Sequence, residues 1–142
     1  MCTARSPLFK TLVRATAVRE LPTSAAAAKM ARDDVAVRLQ NWGLGALNDA
    51  AALVVSELVT NAVRAGGPVR LALCVVLGAG RRVLRIEVAD QGPGMPPVTT
   101  DRPLPDTAAT SGRGLPLIDI LARRWGNERC CGVHRVWVHL AT

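Results

Sequence analysis

The chain has 142 residues, of which 49% are apolar and 20% charged, with a formal net charge of +7. That length suits a single domain with a real core over 1–142, and the composition excludes wholesale disorder. The arginines are scattered, only Arg81-Arg82 and Arg123-Arg124 being adjacent, and with one Phe, three Trp and no Tyr there is little surface for stacking bases, so a solvated basic surface is expected rather than a nucleic-acid site.

Lys10 and Arg14 interrupt the N-terminal apolar residues, so no secretory signal is read there, and no stretch is expected to span a membrane. Leu8 to Thr16 alternates weakly, as an edge strand would, and Pro22 with Thr23-Ser24 ends it. Ser24 can cap a first helix, on which Ala28, Ala31, Val35, Leu39 and Trp42 form one apolar stripe ending near Gly43. Asn48 or Asp49 can cap a second, with Ala51, Val55, Leu58 and Ala62 as its buried stripe and Gly66-Gly67-Pro68 as its stop.

Val69, Leu71, Leu73, Val75 and Leu77 alternate, the chain turns through Gly78-Ala79-Gly80, and Leu84, Ile86 and Val88 alternate again, which predicts a hairpin with one buried face. Gln91 to Gly112 holds Pro, Gly, Thr and Asp without periodicity, a loop long enough to serve as a functional lid. Pro116 opens a third helix, "LPLIDILARRWG", and "VHRVWVHL" supplies a fourth strand. Hairpin-linked strands with one-sided helices give an α+β class, a two-layer sandwich of a mainly antiparallel mixed sheet with helices on one face.

The cysteines, Cys2, Cys74, Cys130 and Cys131, show no disulfide framework, so free thiols in a reducing, cytoplasmic setting are expected. The run Cys130-Cys131-Gly132-Val133-His134 lacks a second ligand pair at zinc spacing.

Three segments surround the lid. Glu57 and Asn61 lie four residues apart, hence on one face of the second helix. Asp90-Gln91-Gly92-Pro93-Gly94 ends a strand, and Gly112-Arg113-Gly114 precedes a helix. In this order they resemble the N, G1 and G2 boxes of the Bergerat-type (GHKL) ATP-binding fold, which gyrases and histidine kinases share. The resemblance implies ATP and Mg²⁺ as cofactors. Asn61 would offer its amide oxygen to the metal, which takes few protein ligands beside phosphates and water, and Glu57 would accept the proton of the attacking hydroxyl. Asp90 would accept from the exocyclic amine of adenine, which guanine lacks at that position. Gly92 and Gly94 would let the backbone approach the base and turn into the lid. Gly112 and Gly114 would present backbone N–H groups to phosphate at a helix N-terminus, with Arg113 as a forked cation. No P-loop or dinucleotide fingerprint occurs.

Within that fold, "LNDAAALVVSELVTNAVRAG", "VLRIEVADQGPGMP" and "GRGLPLIDILARRWGNE", with Trp137 in the closing strand, resemble the compact stand-alone serine/threonine kinases of the anti-sigma-factor type. The resemblance implies a sigma factor as one partner and an antagonist (anti-anti-sigma) protein as the phosphorylated one. From the composition no direct nucleic-acid contact and no membrane are expected, and dimerisation is common in that family. Two features depart from it: Ala65 stands where the N box commonly carries a histidine, and the lid is short and proline-rich. They favour, as the alternative, a module that binds ATP and a protein without phosphoryl transfer. A histidine-kinase core fits less well, because His134 and His139 both lie in the last strand, where structural roles are expected.

Overall fold

Two runs in which every second residue is apolar, 69–78 and 81–90, require a strand pair with one face turned to a core. The computed structural model describes residues 12–78, 80–92, 98–100 and 114–142. In chain order these form β1 (Leu12–Leu21), α1 (Ala27–Asn41), α2 (Asn48–Ala65), β2 (Val69–Gly78), β3 (Arg81–Asp90), β4 (Val98–Thr100), α3 (Gly114–Leu121), β5 (Arg124–Cys130) and β6 (Val133–Ala141). The strands make one sheet in the order β1-β2-β3-β6-β5-β4, and each described pairing is antiparallel. The helices lie on one face, as expected for the α+β sandwich.

The register shows which residues meet them. Leu71, Leu73 and Val75 on β2, Leu84, Ile86 and Val88 on β3, and Val136, Val138 and Leu140 on β6 join one core with Ala31, Val35 and Leu39 of α1 and Val54, Val55, Leu58 and Val59 of α2. Each such Leu, Ile or Val contributes about 1.5–3 kcal/mol by leaving water.

Local differences from the expected elements have physical causes. On β1 the helix-side positions are Ala15, Ala17 and Arg19, too small or charged to show alternation, so pairing with β2 rather than sequence pattern carries the strand on to Leu21. Arg19 is balanced there by Asp34 of α1 at 3.4 Å. Ser24 sits ahead of the first turn of α1, its Oγ accepting from the Ala26 N–H at 3.3 Å. Asn48 is the first residue of α2 rather than its cap, because a 3-10 turn at Gly45–Leu47 leads directly into the helix. Gly66, at φ 86°, ends α2 in a conformation that a side chain would resist.

Gly45–Ala65 is also long and apolar enough to cross a membrane by length and composition, which corrects the expectation that no stretch is. Leu47, Val54, Val55, Leu58 and Val59 of this stretch pack into the core, while Leu53 is exposed.

The predicted third helix stops at Leu121, and "RWGNERC" becomes β5. Its hairpin to β6 closes on Cys131 and Gly132, both at positive φ (56° and 78°), the two-residue turn whose twist suits antiparallel strands. Cys130, at that corner, is disulfide-bonded, which corrects the expectation of a free thiol there. Cys74 is a free thiol, half-buried, and its pKa is pushed up chiefly by burial.

Candidate nucleotide site

Glu57 and Asn61 are held by the register of α2: its buried stripe fixes the helix on the sheet, and both flanking polar residues come out half-buried along its border. Neither side chain has a hydrogen bond or ion pair among the described residues, so both keep their polar atoms available to a ligand. Just before them, Ser56 is occupied, its Oγ donating to the Ala52 carbonyl at 2.8 Å and accepting from Arg32 of α1 at 3.0 Å.

One further turn along the same stripe is Ala65, and it lies directly against Gly92. A methyl group on Gly92 would overlap the Ala65 side chain and come within 3.1 Å of Asp90 Oδ1. The stripe Glu57, Asn61, Ala65 therefore runs toward the turn that follows β3. Small residues on both sides, Gly92 and Ala65, allow this approach.

Asp90 ends β3 in phase with Leu84, Ile86 and Val88, so its carboxylate turns to the helix side and is buried at 5% exposure. Its Oδ1 accepts from the Gly92 N–H at 2.7 Å, a local turn that fixes the carboxylate, and its Oδ2 lies 3.3 Å from Nδ1 of His134. Arg129 of β5 donates to the Gly92 carbonyl. Asp90 and Gly92 are thus held from three sides, and a carboxylate has lone pairs beyond those these contacts use.

Among the expected site residues, the structure brings Asn61, Asp90 and Gly92 to one end of α2, with Glu57 one turn back. Gly114 is the first residue of α3, which packs on α2 and β5. Gly94, Gly112 and Arg113 lie outside the described residues. No group of three or more His, Cys, Asp or Glu residues that could cage a metal occurs among the described residues, so a cation here would depend on phosphate oxygens beside Asn61, which is the coordination Mg²⁺ accepts.

His134 and Arg129 were not singled out for the site by sequence. The signal was present in His134: it stands in phase with Val136, Val138 and Leu140 on a strand face that is otherwise apolar, and a polar residue at a core position is informative. Arg129 lies in "GNER", which carries no alternation at all.

The opposite, helix-free face has a different character. A cavity of about 360 Å³ there is lined by Val18, Glu20, Arg70, Ala72, Glu87 and Arg135 among others, and it reaches Asp90 and Gln91 only at the strand end. Its glutamates are paired: Glu20 meets Arg70 at 2.6 Å, and Glu87 is shared by Arg135 at 3.1 Å and Arg85 at 3.2 Å. Trp137, His139, Arg85 and Arg124 form a cluster farther along this face, with the Arg85 guanidinium 4.9 Å from the Trp137 ring centroid.

Comparison with known families identifies the domain. The profile of the histidine kinase-like ATPase domain matches residues 15–129, most of the chain. Comparison with curated proteins returns no match.

Proposed function

The chain belongs to the histidine kinase-like ATPase family, an ATP-binding domain, and on that premise we propose that it is a regulatory serine/threonine kinase of the anti-sigma-factor type. In this reading it binds ATP with Mg²⁺, phosphorylates a serine or threonine of an antagonist protein, and sequesters a sigma factor. The observation that carries the reading is the convergence of the α2 stripe bearing Glu57 and Asn61 on the Gly92 turn beside buried Asp90. The support for the narrower class is the resemblance of the three segments around these residues.

Each residue then has one task. Asp90, fixed by the Gly92 N–H, accepts from the adenine amine. Asn61 offers its amide oxygen to the metal, whose chemistry is to neutralise charge on the phosphates. Gly114 presents the N-terminus of α3, and Gly112 and Arg113 precede it in sequence to meet phosphate. Glu57, without a partner among the described residues, takes the proton of the acceptor hydroxyl as its oxygen bonds to the γ-phosphorus and the bond to the β-phosphate oxygen breaks.

The competing reading, ATP-dependent protein binding without transfer, is favoured by Ala65 in place of the histidine common in such kinases. Incubation with γ-labelled ATP and candidate antagonist proteins separates the two: label on a serine or threonine of an antagonist supports the kinase. ATP binding with no label on any bound antagonist leaves the non-catalytic regulator.

A further inference from the structure

One row of residues crosses the helix-free face of the sheet from strand to strand. Glu20 of β1 pairs with Arg70 of β2, Arg70 with Ala89 of β3, Ala89 with Arg135 of β6, and Arg135 with Glu128 of β5. The row runs acid, base, alanine, base, acid. Adjacent strands are about 4.8 Å apart, so the two arginines leave the sheet about 10 Å from each other with only the methyl group of Ala89 between them. In the next row, Ala72 stands between Val18 and Glu87. Two alanines among longer side chains leave the hollow of about 360 Å³ described above.

The glutamates do not saturate the arginines. Arg70 reaches Glu20 through Nε at 2.6 Å, and its two Nη nitrogens have no hydrogen-bond or ion-pair partner among the described residues. Arg135 reaches Glu87 through Nε at 3.1 Å and lies 3.9 Å from Glu128 through Nη1, which leaves its Nη2 without one among those residues. The Arg70–Glu20 pair is exposed, at 62% and 61%, and such pairs are weak. A guanidinium presents its donors as a flat fork that fits a carboxylate, so the two walls of the hollow can turn N–H groups onto one anion above Ala89. The lining between them is apolar, with Ala72, Ala89, Val18 and Val133.

Of the large apolar side chains that are well exposed among the described residues, Val18 alone lies on this face, while Val37, Leu53 and Ile120 are on helices. The apolar surface here is thus confined to the hollow. That is too little for a stable protein interface, whereas cavities of about 300–1,000 Å³ are usual for small molecules. We propose that the hollow is a ligand site in its own right, for a small carboxylate with a compact apolar body. The carboxylate lies between the Nη groups of Arg70 and Arg135, and the body covers Ala72 and Ala89. The site is on the other side of the sheet from the Asp90 carboxylate, and it does not rest on the ATP reading.

The test is an NMR titration of the ¹⁵N-labelled full chain with hexanoate, 4-ethylbenzoate and indole-3-acetate, each compared with its primary amide, which keeps the shape and loses the charge. At least one carboxylate shifts the backbone amide signals of Ala72 and Ala89 saturably below about 10 mM, and binds about tenfold or more tightly than its amide. The double variant Arg70→Gln, Arg135→Gln weakens that binding about tenfold, and Ala89→Leu, which fills the hollow, abolishes it. Three results each overturn the proposal: no carboxylate shifts these signals, the amide binds as well as the acid, or the shifts fall on Asn61, Asp90 and Gly92 instead. Undiminished binding in either folded variant overturns it as well. Where a variant does not fold, the comparison of acid with amide and the location of the shifts in the wild type decide. Failure of the protein to bind ATP counts against the nucleotide reading alone.

Discussion

Gly92 and Ala65 touch where the end of α2 meets the turn after β3, with no room between them for a methyl group. Gly92→Ala therefore forces apart the helix that carries Asn61 and the strand end that carries Asp90. Overpacking of this kind costs about 1–3 kcal/mol, to be read as a lowered denaturation midpoint, and it weakens ATP binding together with stability. The double substitution Ala65→Gly, Gly92→Ala recovers part of both losses, as expected when the two side chains compete for one space.

Glu57→Gln removes the proton acceptor and leaves a side chain of the same shape. Phosphoryl transfer to an antagonist protein is expected to fall about 100-fold or more, with the ATP dissociation constant little changed, measured by label transfer and by nucleotide titration. Undiminished transfer would take Glu57 out of the mechanism.

Trp125, 1% exposed, ties β5 to α3 by donating from its indole Nε1 to Asp119 Oδ1 at 2.5 Å. Trp125→Phe keeps most of the apolar contact and deletes the donor, at a cost of about 1–3 kcal/mol. Trp125→Ala also opens a cavity and costs about 3–5 kcal/mol. Urea denaturation of the two variants measures the difference.

His139 lies on the helix-free face, where burial, followed by the charges of Arg85 and Arg124, lowers its pKa to about 4. Arg85 Nη1 lies 3.1 Å from Nε2 of the ring and, being a donor only, holds it in the neutral form. The folded state thus resists a proton that the unfolded chain takes up near pH 6.5. Stability is full above that pH, declines as pH falls toward 4, and stops declining from this source below it. After allowance for solvent screening the loss is about 1–2 kcal/mol, visible as a falling urea midpoint, and His139→Gln flattens the profile over this window.

Much of this arrangement was legible in the residues. The helix stripes and the β2-β3 alternation read directly because their faces divide cleanly into core and solvent. Glu57, Asn61 and Asp90 stood out as polar residues bordering or ending such patterns, and the structure brings Asn61 and Asp90 to one end of α2. β5 was not legible: Asn127 and Arg129 occupy its inward positions, so it lacks the alternation that marks a strand, and only its pairing with β6 defines it. β4 is three residues long and lies in a loop without periodicity, where local pattern carries no signal. The contacts of Asp90 with His134 and of Gly92 with Arg129 depend on register between strands far apart in the chain, which spacing along one segment cannot express.

The central claim is a purine nucleotide pocket closed between α2 and the end of β3, and calorimetric titration with ATP tests it most directly. The wild type is expected to bind one ATP in the presence of Mg²⁺ and far more weakly in its absence, and Asp90→Ala to lose at least about tenfold in affinity, since a buried base then lacks its acceptor. No saturable binding by the wild type, or binding indifferent to both Mg²⁺ and Asp90, would contradict the account.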